Sequence, residues 1–189
     1  MKKLLILTLS LNVFSSLTFD KPIVNKSYCK TQQYELDVKL REAVKNNNIS
    51  SIRYLIHQGA DVNYLYDDYF QKGIKRNILS DAIDSKSFDV VKLLLYAGAS
   101  VANSINLLGD YRQIINKTGT SCFLPLSYAI IIEAPISIIE LLAEFQVSQK
   151  HGLYFNNKLW YPCDVAKLCG NEQAITIIKN IESDLREQK

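Results

Sequence analysis

Histidine, the residue most often used for acid–base chemistry and for metal binding, is scarce in this sequence. Among 189 residues there are two histidines, His57 and His151, and they lie far apart. His57 is expected to face solvent near a helix end, and His151 to lie in a loop. No G-x-S-x-G, P-loop, H-E-x-x-H or G-x-G-x-x-G motif is present. We therefore predict that the protein is not an enzyme and has no metal or cofactor; a hydrolase with a cryptic site is the weaker alternative.

An excess of charge of one sign is also lacking. The formal net charge is +3, but Lys2 and Lys3 lie in a segment that we expect to be removed. Without them the 22 basic residues become 20, against 19 acidic residues. Because no run or helical cluster of lysine and arginine stands out, we do not expect nucleic acid as a partner of this chain.

Long apolar runs are scarce as well, and the one that stands out is at the start of the chain. Lys2 and Lys3 precede an apolar stretch from Leu4 to about Phe14, followed by small residues. This order predicts a secretory signal peptide over residues 1–18, because the stretch is short for a membrane span. The mature protein is then exported, periplasmic or secreted, without membrane insertion. A composition rich in lysine, asparagine and isoleucine suggests a bacterial source.

The four cysteines would meet an oxidising environment after export. They are Cys29, Cys122, Cys163 and Cys169, and the sequence does not select among the three complete pairings. Cys163 and Cys169 are the least favoured pair, since their spacing places them on different faces of one predicted helix. Buried free thiols are an alternative. A zinc site is disfavoured because there is no C-x-x-C pair.

One apolar template occurs four times in the chain. It is anchored on alanines, with apolar residues or cysteine three positions before and apolar residues nine and twelve positions after each anchor. The anchors are Ala43, Ala82, Ala129 and Ala166; the positions nine after are Ile52, Val91, Ile138 and Ile175; those twelve after are Leu55, Leu94, Leu141 and Ile178. Four matches in register indicate an internal repeat.

Each template predicts two short helices joined by a turn. The positions around the anchor share one face of a first helix, and the later positions share one face of a second. Polar breakers separate the helices at 46–48, 85–87, 133–135 and 169–171. Gly59 and Gly98 follow the second helix, where a left-handed residue commonly ends it. One such unit does not bury its own apolar face, but stacked neighbours do.

These motifs resemble the ankyrin-repeat family. "QGADVN" at 58–63 and "VVKLLLYAG" at 90–98 are similar to its second helix and hairpin, and "LPLSYA" at 124–129 to its T-P-L-H-x-A opening. The resemblance implies an all-α solenoid of about four helix-turn-helix repeats that binds a protein. The domain would span 33–189 after an N-terminal extension at 19–32. The repeats would lie at about 36–66, 75–106, 122–153 and 159–189.

The chain departs from the family pattern in three respects. Its anchors are 39, 47 and 37 residues apart, longer than the family period of about 33. Phe145 stands where the third repeat should have its glycine, so this helix should end differently. The first repeat lacks the T-P-L-H opening, and its Lys39, Arg41 and Glu42 are expected to form a polar outer cap.

The surplus residues form three predicted insertions, here called fingers 1, 2 and 3, over about 61–77, 100–123 and 147–161. They contain ten aromatic residues, a type that dominates many interfaces. Tyr64, Tyr66 and Tyr111 are expected to be exposed, whereas Phe70, Phe123 and Trp160 fit a small finger core equally well. The residues predicted to bind the partner are Tyr64, Tyr66, Tyr69, Tyr111, Arg112, Tyr154 and Trp160.

Finger 2 allows two interpretations of its apolar residues, Leu107, Leu108, Ile114 and Ile115. They fit a short helix docked on the stack, and they also fit a knob that faces a partner. For the whole protein, the favoured hypothesis is an exported interaction module, in its sharper form an immunity or inhibitor protein against a toxin or enzyme. A secreted effector that captures a host protein is the second hypothesis.

Overall fold

The computed structural model describes residues 30–67, 75–107, 110–147, 152–155 and 158–187. The predicted signal peptide, the extension up to residue 29 and the candidate residues Tyr69, Phe70 and His151 lie outside these ranges. No helix within the described ranges has the length and apolarity that crossing a bilayer requires.

The described residues form four helix pairs, one inserted helix and three short hairpins. The first helices of the pairs are α1 (Lys30–Lys45), α3 (Ile78–Asp84), α6 (Pro125–Ile131) and α8 (Pro162–Cys169), and the second helices are α2 (Ile49–His57), α4 (Phe88–Tyr96), α7 (Ile136–Val147) and α9 (Glu172–Glu187). Successive first helices contact one another and form an inner layer, while α4, α7 and α9 contact one another in an outer layer. The stacked all-α architecture predicted from the repeat is therefore confirmed.

The anchor alanines occupy equivalent places in the inner helices. Ala82, Ala129 and Ala166 are fully buried, and Ala43 in the terminal repeat is 8% exposed. The eight apolar residues predicted nine and twelve positions later are also buried, within one continuous hydrophobic cluster. A small side chain at the anchor allows the helices to approach closely, and larger residues from the outer helices fill the remaining space.

The turn inside each pair also repeats. Asn47, Lys86, Glu133 and Gly170 all stand four residues after an anchor, and all have positive φ, between 52° and 65°. In three pairs the amide five residues after the anchor donates to the anchor carbonyl over 2.9 Å, as Asn48 does to Ala43. These bonds satisfy carbonyls that a helix end would otherwise leave open.

The outer helices end in two ways. After α2 and α4, Gly59 and Gly98 both have φ of 94°, and the following alanine amide donates five residues back. An added Cβ would meet no atom at either glycine, so the conformation itself favours glycine there. The helix α7 instead continues to Val147, through Phe145, whose ring packs edge-on against Tyr96 at 5.5 Å. The different ending predicted for the third repeat is confirmed.

Antiparallel hairpins form the roots of the fingers. They pair β1 (Leu65–Asp67) with β2 (Lys75–Asn77), β3 (Ile105–Asn106) with β4 (Cys122–Phe123), and β5 (Leu153–Phe155) with β6 (Lys158–Trp160). Finger 2 carries the inserted helix α5 (Arg112–Thr118), with Ile114 and Ile115 partly buried against the core. Of the two interpretations of finger 2, the docked helix is the one observed.

Candidate functional site

The inner helices and the fingers together form the surface on which the predicted binding residues lie. We call the side of the inner helices that points away from the outer helices the inner face. Two features dominate it: a charged cluster at the root of finger 1, and a groove beside α5. Finger 3 carries a third feature, a set of exposed apolar side chains.

Arg76 is the centre of the charged cluster. It lies on β2, is 2% exposed, and forms an ion pair with Asp84 of α3. Its second amine nitrogen lies 3.8 Å from Asp81, and its first donates to the Tyr128 hydroxyl over 3.4 Å. Tyr128, on α6, donates in turn to Asp84 over 2.5 Å. A buried arginine with paired carboxylates ties finger 1 to two successive repeats.

Arg41 extends this cluster to the first repeat. Its guanidinium carbon lies 3.6 Å from the centroid of the Tyr66 ring, and its Nε donates to Asp81 over 3.3 Å. Stacking on a ring while pairing with a carboxylate suits the planar guanidinium. Lys39 and Glu42 are exposed as an outer cap requires, but the expectation for Arg41 was wrong, because this side chain faces the interior of the stack.

The electrostatics of the cluster follow from burial. Burial lowers the pKa of the Arg76 guanidinium, but the facing Tyr128 and Asp84 outweigh this cost of desolvating the cation, so its pKa is raised. For the phenols of Tyr66 and Tyr128, burial raises the pKa, so both stay neutral. The Tyr66 hydroxyl is buried and has no hydrogen-bond partner of good geometry among the described residues.

The predicted exposure of the aromatic residues was wrong for Tyr66. It is 7% exposed because β1 alternates, with Leu65 and Asp67 facing solvent and Tyr66 facing the inner helices. Tyr64 is half-buried, between Tyr34 at 6.3 Å and Tyr66 at 6.2 Å, measured between ring centroids. Tyr111 is also half-buried and packs against the core. Tyr64 and Tyr111 are therefore less exposed than predicted.

Arg112 and the groove lie together on finger 2. Arg112 is exposed and forms two hydrogen bonds with Asp110, from Nε at 2.8 Å and from an amine nitrogen at 3.0 Å. These bonds lower the pKa of Asp110. An open groove of about 870 Å³ lies between this end of α5 and the ends of α6 and α8. Ile131, Leu168 and Cys169 are among the residues that line it.

Finger 3 presents apolar side chains to solvent. Tyr154 is 66% exposed and lies directly opposite Leu159, which is 39% exposed. Tyr161, two residues beyond Leu159, is 45% exposed. We call these three residues the finger patch. Trp160 is paired with Leu153 and is partly buried, so it points away from the patch. Phe123, in finger 2, is buried and belongs to the core.

The described cysteines are free thiols. Cys122, Cys163 and Cys169 are each partly buried and form no disulfide with one another; Cys29 lies outside the described ranges. Burial, and next the charge of Glu133, raises the pKa of the Cys169 thiol. His57 is exposed, as predicted. Within the described part of the chain, no group of three or more histidine, cysteine or acidic residues is arranged to hold a metal ion.

Comparison with known proteins gives two matches. The family model described as ankyrin repeat matches residues 40–67, which include the end of α1, all of α2 and β1. Over 174 aligned residues the chain is 28% identical to an ankyrin repeat protein of Fowlpox virus (strain NVSL), covering 79% of this chain. The alignment covers 49% of that relative, so the chain spans about half the length of the curated relative it matches.

Proposed function

Because this chain belongs to the ankyrin-repeat family, whose repeats are protein–protein interaction modules, we propose that it is exported and binds a protein partner through its fingers and inner face. The single observation that carries the proposal is the finger patch. Three large side chains stand exposed together between the third and fourth repeats, whereas the other finger aromatics whose side chains the structure describes are buried or half-buried. Exposed apolar residues that cluster rather than scatter are typical of interaction sites.

The finger patch also has the chemistry of an interface centre. Tyrosine gives a large contact area with few rotatable bonds, and leucine adds an apolar surface directly beside it. The paired strands of finger 3 hold Tyr154 opposite Leu159, so the two side chains are positioned before the partner arrives. Residues in direct register on one hairpin lose less freedom on binding than residues on an irregular loop.

The sharper form of the proposal is an immunity or inhibitor protein whose finger 3 covers the active site of a toxin or another enzyme. It is supported by the resemblance and by the projecting hairpin. Export is proposed from the N-terminal sequence. Fractionation of cells that express the full chain tests it: a shortened protein recovered outside the cytoplasm supports export, and full-length protein retained there contradicts it.

The binding proposal is tested with a finger-patch variant and a matched control. The full chain, tagged at its C-terminus, is purified from cross-linked cells of its source, and the recovered partner is identified and produced alone. The double variant Tyr154→Ser/Leu159→Ser should weaken the purified complex about tenfold or more. Tyr54→Ser is the control, since Tyr54 is 63% exposed but lies on α2.

The two variants separate binding from folding. Both should unfold at the urea concentration of the parent, since exposed substitutions of this kind change stability by about 0.5 kcal/mol or less. Loss of affinity in the finger-patch variant alone supports the proposal. Equal affinity of both variants for the partner would show that finger 3 is not a contact. An enzyme partner whose activity the parent inhibits and the double variant does not would support the inhibitor form.

A further inference from the structure

The inner helices of the two central repeats are covered on the inner face. All seven residues of α6 are buried, as are the first six of α3. The terminal inner helices are less completely buried, since α1 exposes Lys45 and α8 exposes Lys167. Part of the surface that the proposed function assigns to the partner is therefore occupied in this structure by the chain itself.

The position two residues after each anchor differs between the first two repeats and the last two. In the first two repeats it is Lys45 and Asp84, both exposed. In the last two it is Ile131, which is 6% exposed, and Leu168, which is half-buried. The same structural position is thus polar and exposed in the first two repeats, and apolar and at least half-buried in the last two, where it lies beside the groove of α5. An apolar residue here is suited to a covering element, because it would otherwise be exposed on the inner face.

The covering element is α5. Ile114 and Ile115 pack against the core, and α5 forms one wall of the groove whose opposite wall includes Ile131 and Leu168. Tyr111, at its first end, is half-buried near Asp84 and Glu133; burial first, and then these two charges, raise the pKa of its phenol. The first end of the helix therefore lies near α3 and α6, beside the groove that the end of α8 also lines.

The two ends of α5 are held differently. At the last end, Thr118 and Thr120 are buried, and the Thr118 hydroxyl lies 2.8 Å from the Ile114 carbonyl and 3.2 Å from that of Thr120. Gly119 between them has φ of 76° and ends the helix. The first end borders the open groove. A seven-residue helix is too short to be stable alone, so its docking depends on the half-buried isoleucines.

We propose that α5 is a movable strap beside α6, and that its opening from the root at Thr118–Thr120 uncovers the buried Ile130 and Ile131 on the inner face, where the proposed function places the protein partner. This proposal rests on the proposed function in one respect, the presence of a partner at the inner face. The opening of the strap is independent of that partner. Local opening of a weakly docked element occurs without unfolding of the whole domain.

Cys169 is a native reporter of strap opening. It lines the groove, and Lys117 of the strap is near enough for its charge to act on the pKa of the thiol. The parent for the experiment is the full chain with Cys29→Ser, Cys122→Ser and Cys163→Ser, labelled with a bulky maleimide in native buffer. Ile114→Ala/Ile115→Ala is the opening variant, and Asn116→Ala, on the exposed side of the same helix, is the matched control.

The opening variant should label Cys169 roughly tenfold faster than the parent, and the control within about twofold of it. Global unfolding of all three proteins is measured in urea, so that the gain in labelling can be compared with any change in overall stability. If the labelling rate rises by no more than the factor by which the global unfolding constant changes, Cys169 is exposed by global unfolding and the strap proposal is overturned. The strap proposal is also overturned if the labelling rate of the parent depends on urea concentration in the same way as global unfolding does.

The purified partner tests whether the strap controls binding. If the strap competes with the partner, the opening variant should bind more tightly than the parent, by up to the factor found in labelling. If the opening variant is labelled faster but binds the partner no more tightly than the parent does, the strap does not control binding. The labelling experiment uses no partner, so failure of the proposed function and failure of the strap are distinguished.

Discussion

Fingers 1 and 3 have the same topology, a short antiparallel hairpin between successive repeats, but they use their aromatic residues in opposite ways. In finger 1, Tyr66 is buried beneath Arg41, and Arg76 holds the second strand against α3 and α6. In finger 3, Tyr154 and Leu159 face solvent from opposite strands. The difference shows that aromatic content alone does not mark a binding surface.

The difference follows from what each hairpin meets. Finger 1 meets the inner helices of the second and third repeats, which offer Asp81, Asp84 and the Tyr128 hydroxyl, so a cation on its second strand has partners. Its side chains are consequently part of the stack. Among the described residues of finger 3 there is no comparable ion pair, and its outward side chains remain available to another molecule. Finger 1 is therefore structural at its root, and finger 3 is the candidate contact.

Arg76→Met is expected to have the largest effect on this contrast. The substitution keeps an apolar stem but leaves Asp84 without its cation and the buried Asp81 with Arg41 alone, so stability should fall by about 3 kcal/mol. Urea unfolding measures the loss. The control is Arg112→Met, which removes the exposed pair with Asp110 and should leave the unfolding midpoint unchanged. Equal effects of the two substitutions would refute the structural role assigned to finger 1.

The repeat architecture was predictable from sequence because its signal is apolar periodicity. The four anchor alanines and their partners nine and twelve positions later required only that one template recur in register. Gly59 and Gly98 were predictable for a similar reason, since a glycine that follows a helix commonly adopts the left-handed conformation that ends it. The left-handed conformations of Lys86 and Glu133 were not, because neither residue type favours positive φ.

The residue types of the candidate site were predictable from the sequence, but the directions in which their side chains point were not. The alternation of side chains along a short strand predicts two faces, but the local sequence does not indicate which face meets the neighbouring helix. The expectation that Tyr66 faces solvent was wrong for this reason. Arg76 and Asp84 resemble solvated charges in the sequence, and their pairing depends on how three repeats stack. Gln146, fully buried on α7 with its side-chain oxygen accepting from the Leu126 amide over 3.0 Å, shows the same limit.

The two buried tyrosines of the cluster should respond differently to the same change. Tyr128→Phe removes a hydroxyl that donates to Asp84 and accepts from Arg76, so stability should fall by about 1–2 kcal/mol. Tyr66→Phe removes a buried hydroxyl that lies near Asp81 and Arg76 but forms no hydrogen bond of good geometry with either, and should change stability by about 0.5 kcal/mol or less. Urea unfolding of both variants checks the difference. A larger loss for Tyr66→Phe than for Tyr128→Phe would mean that the cluster depends on the phenol of finger 1 instead.

The smallest expected effect concerns the base of finger 1, where Asp37 accepts from the Asp61 amide over 2.7 Å and from Gln33 over 2.8 Å. At the base of finger 2 the neutral Asn63 does the same for the Ser100 amide over 2.8 Å. Burial raises the pKa of Asp37 by more than these two bonds lower it, so the folded state holds this proton more tightly than the unfolded state.

Stability from protonated Asp37 is therefore present at low pH and is lost as pH rises through the raised pKa. Asp37→Asn keeps the acceptor without the charge, so its stability should approach that of the parent near pH 4 and exceed it by a growing margin toward pH 7. Urea unfolding across this range measures the gap, with Glu35→Gln, which removes an exposed carboxyl from α1, as the control. A gap that is constant with pH would show that the pKa of Asp37 is the same in the folded and unfolded states, so that its hydrogen bonds offset its burial.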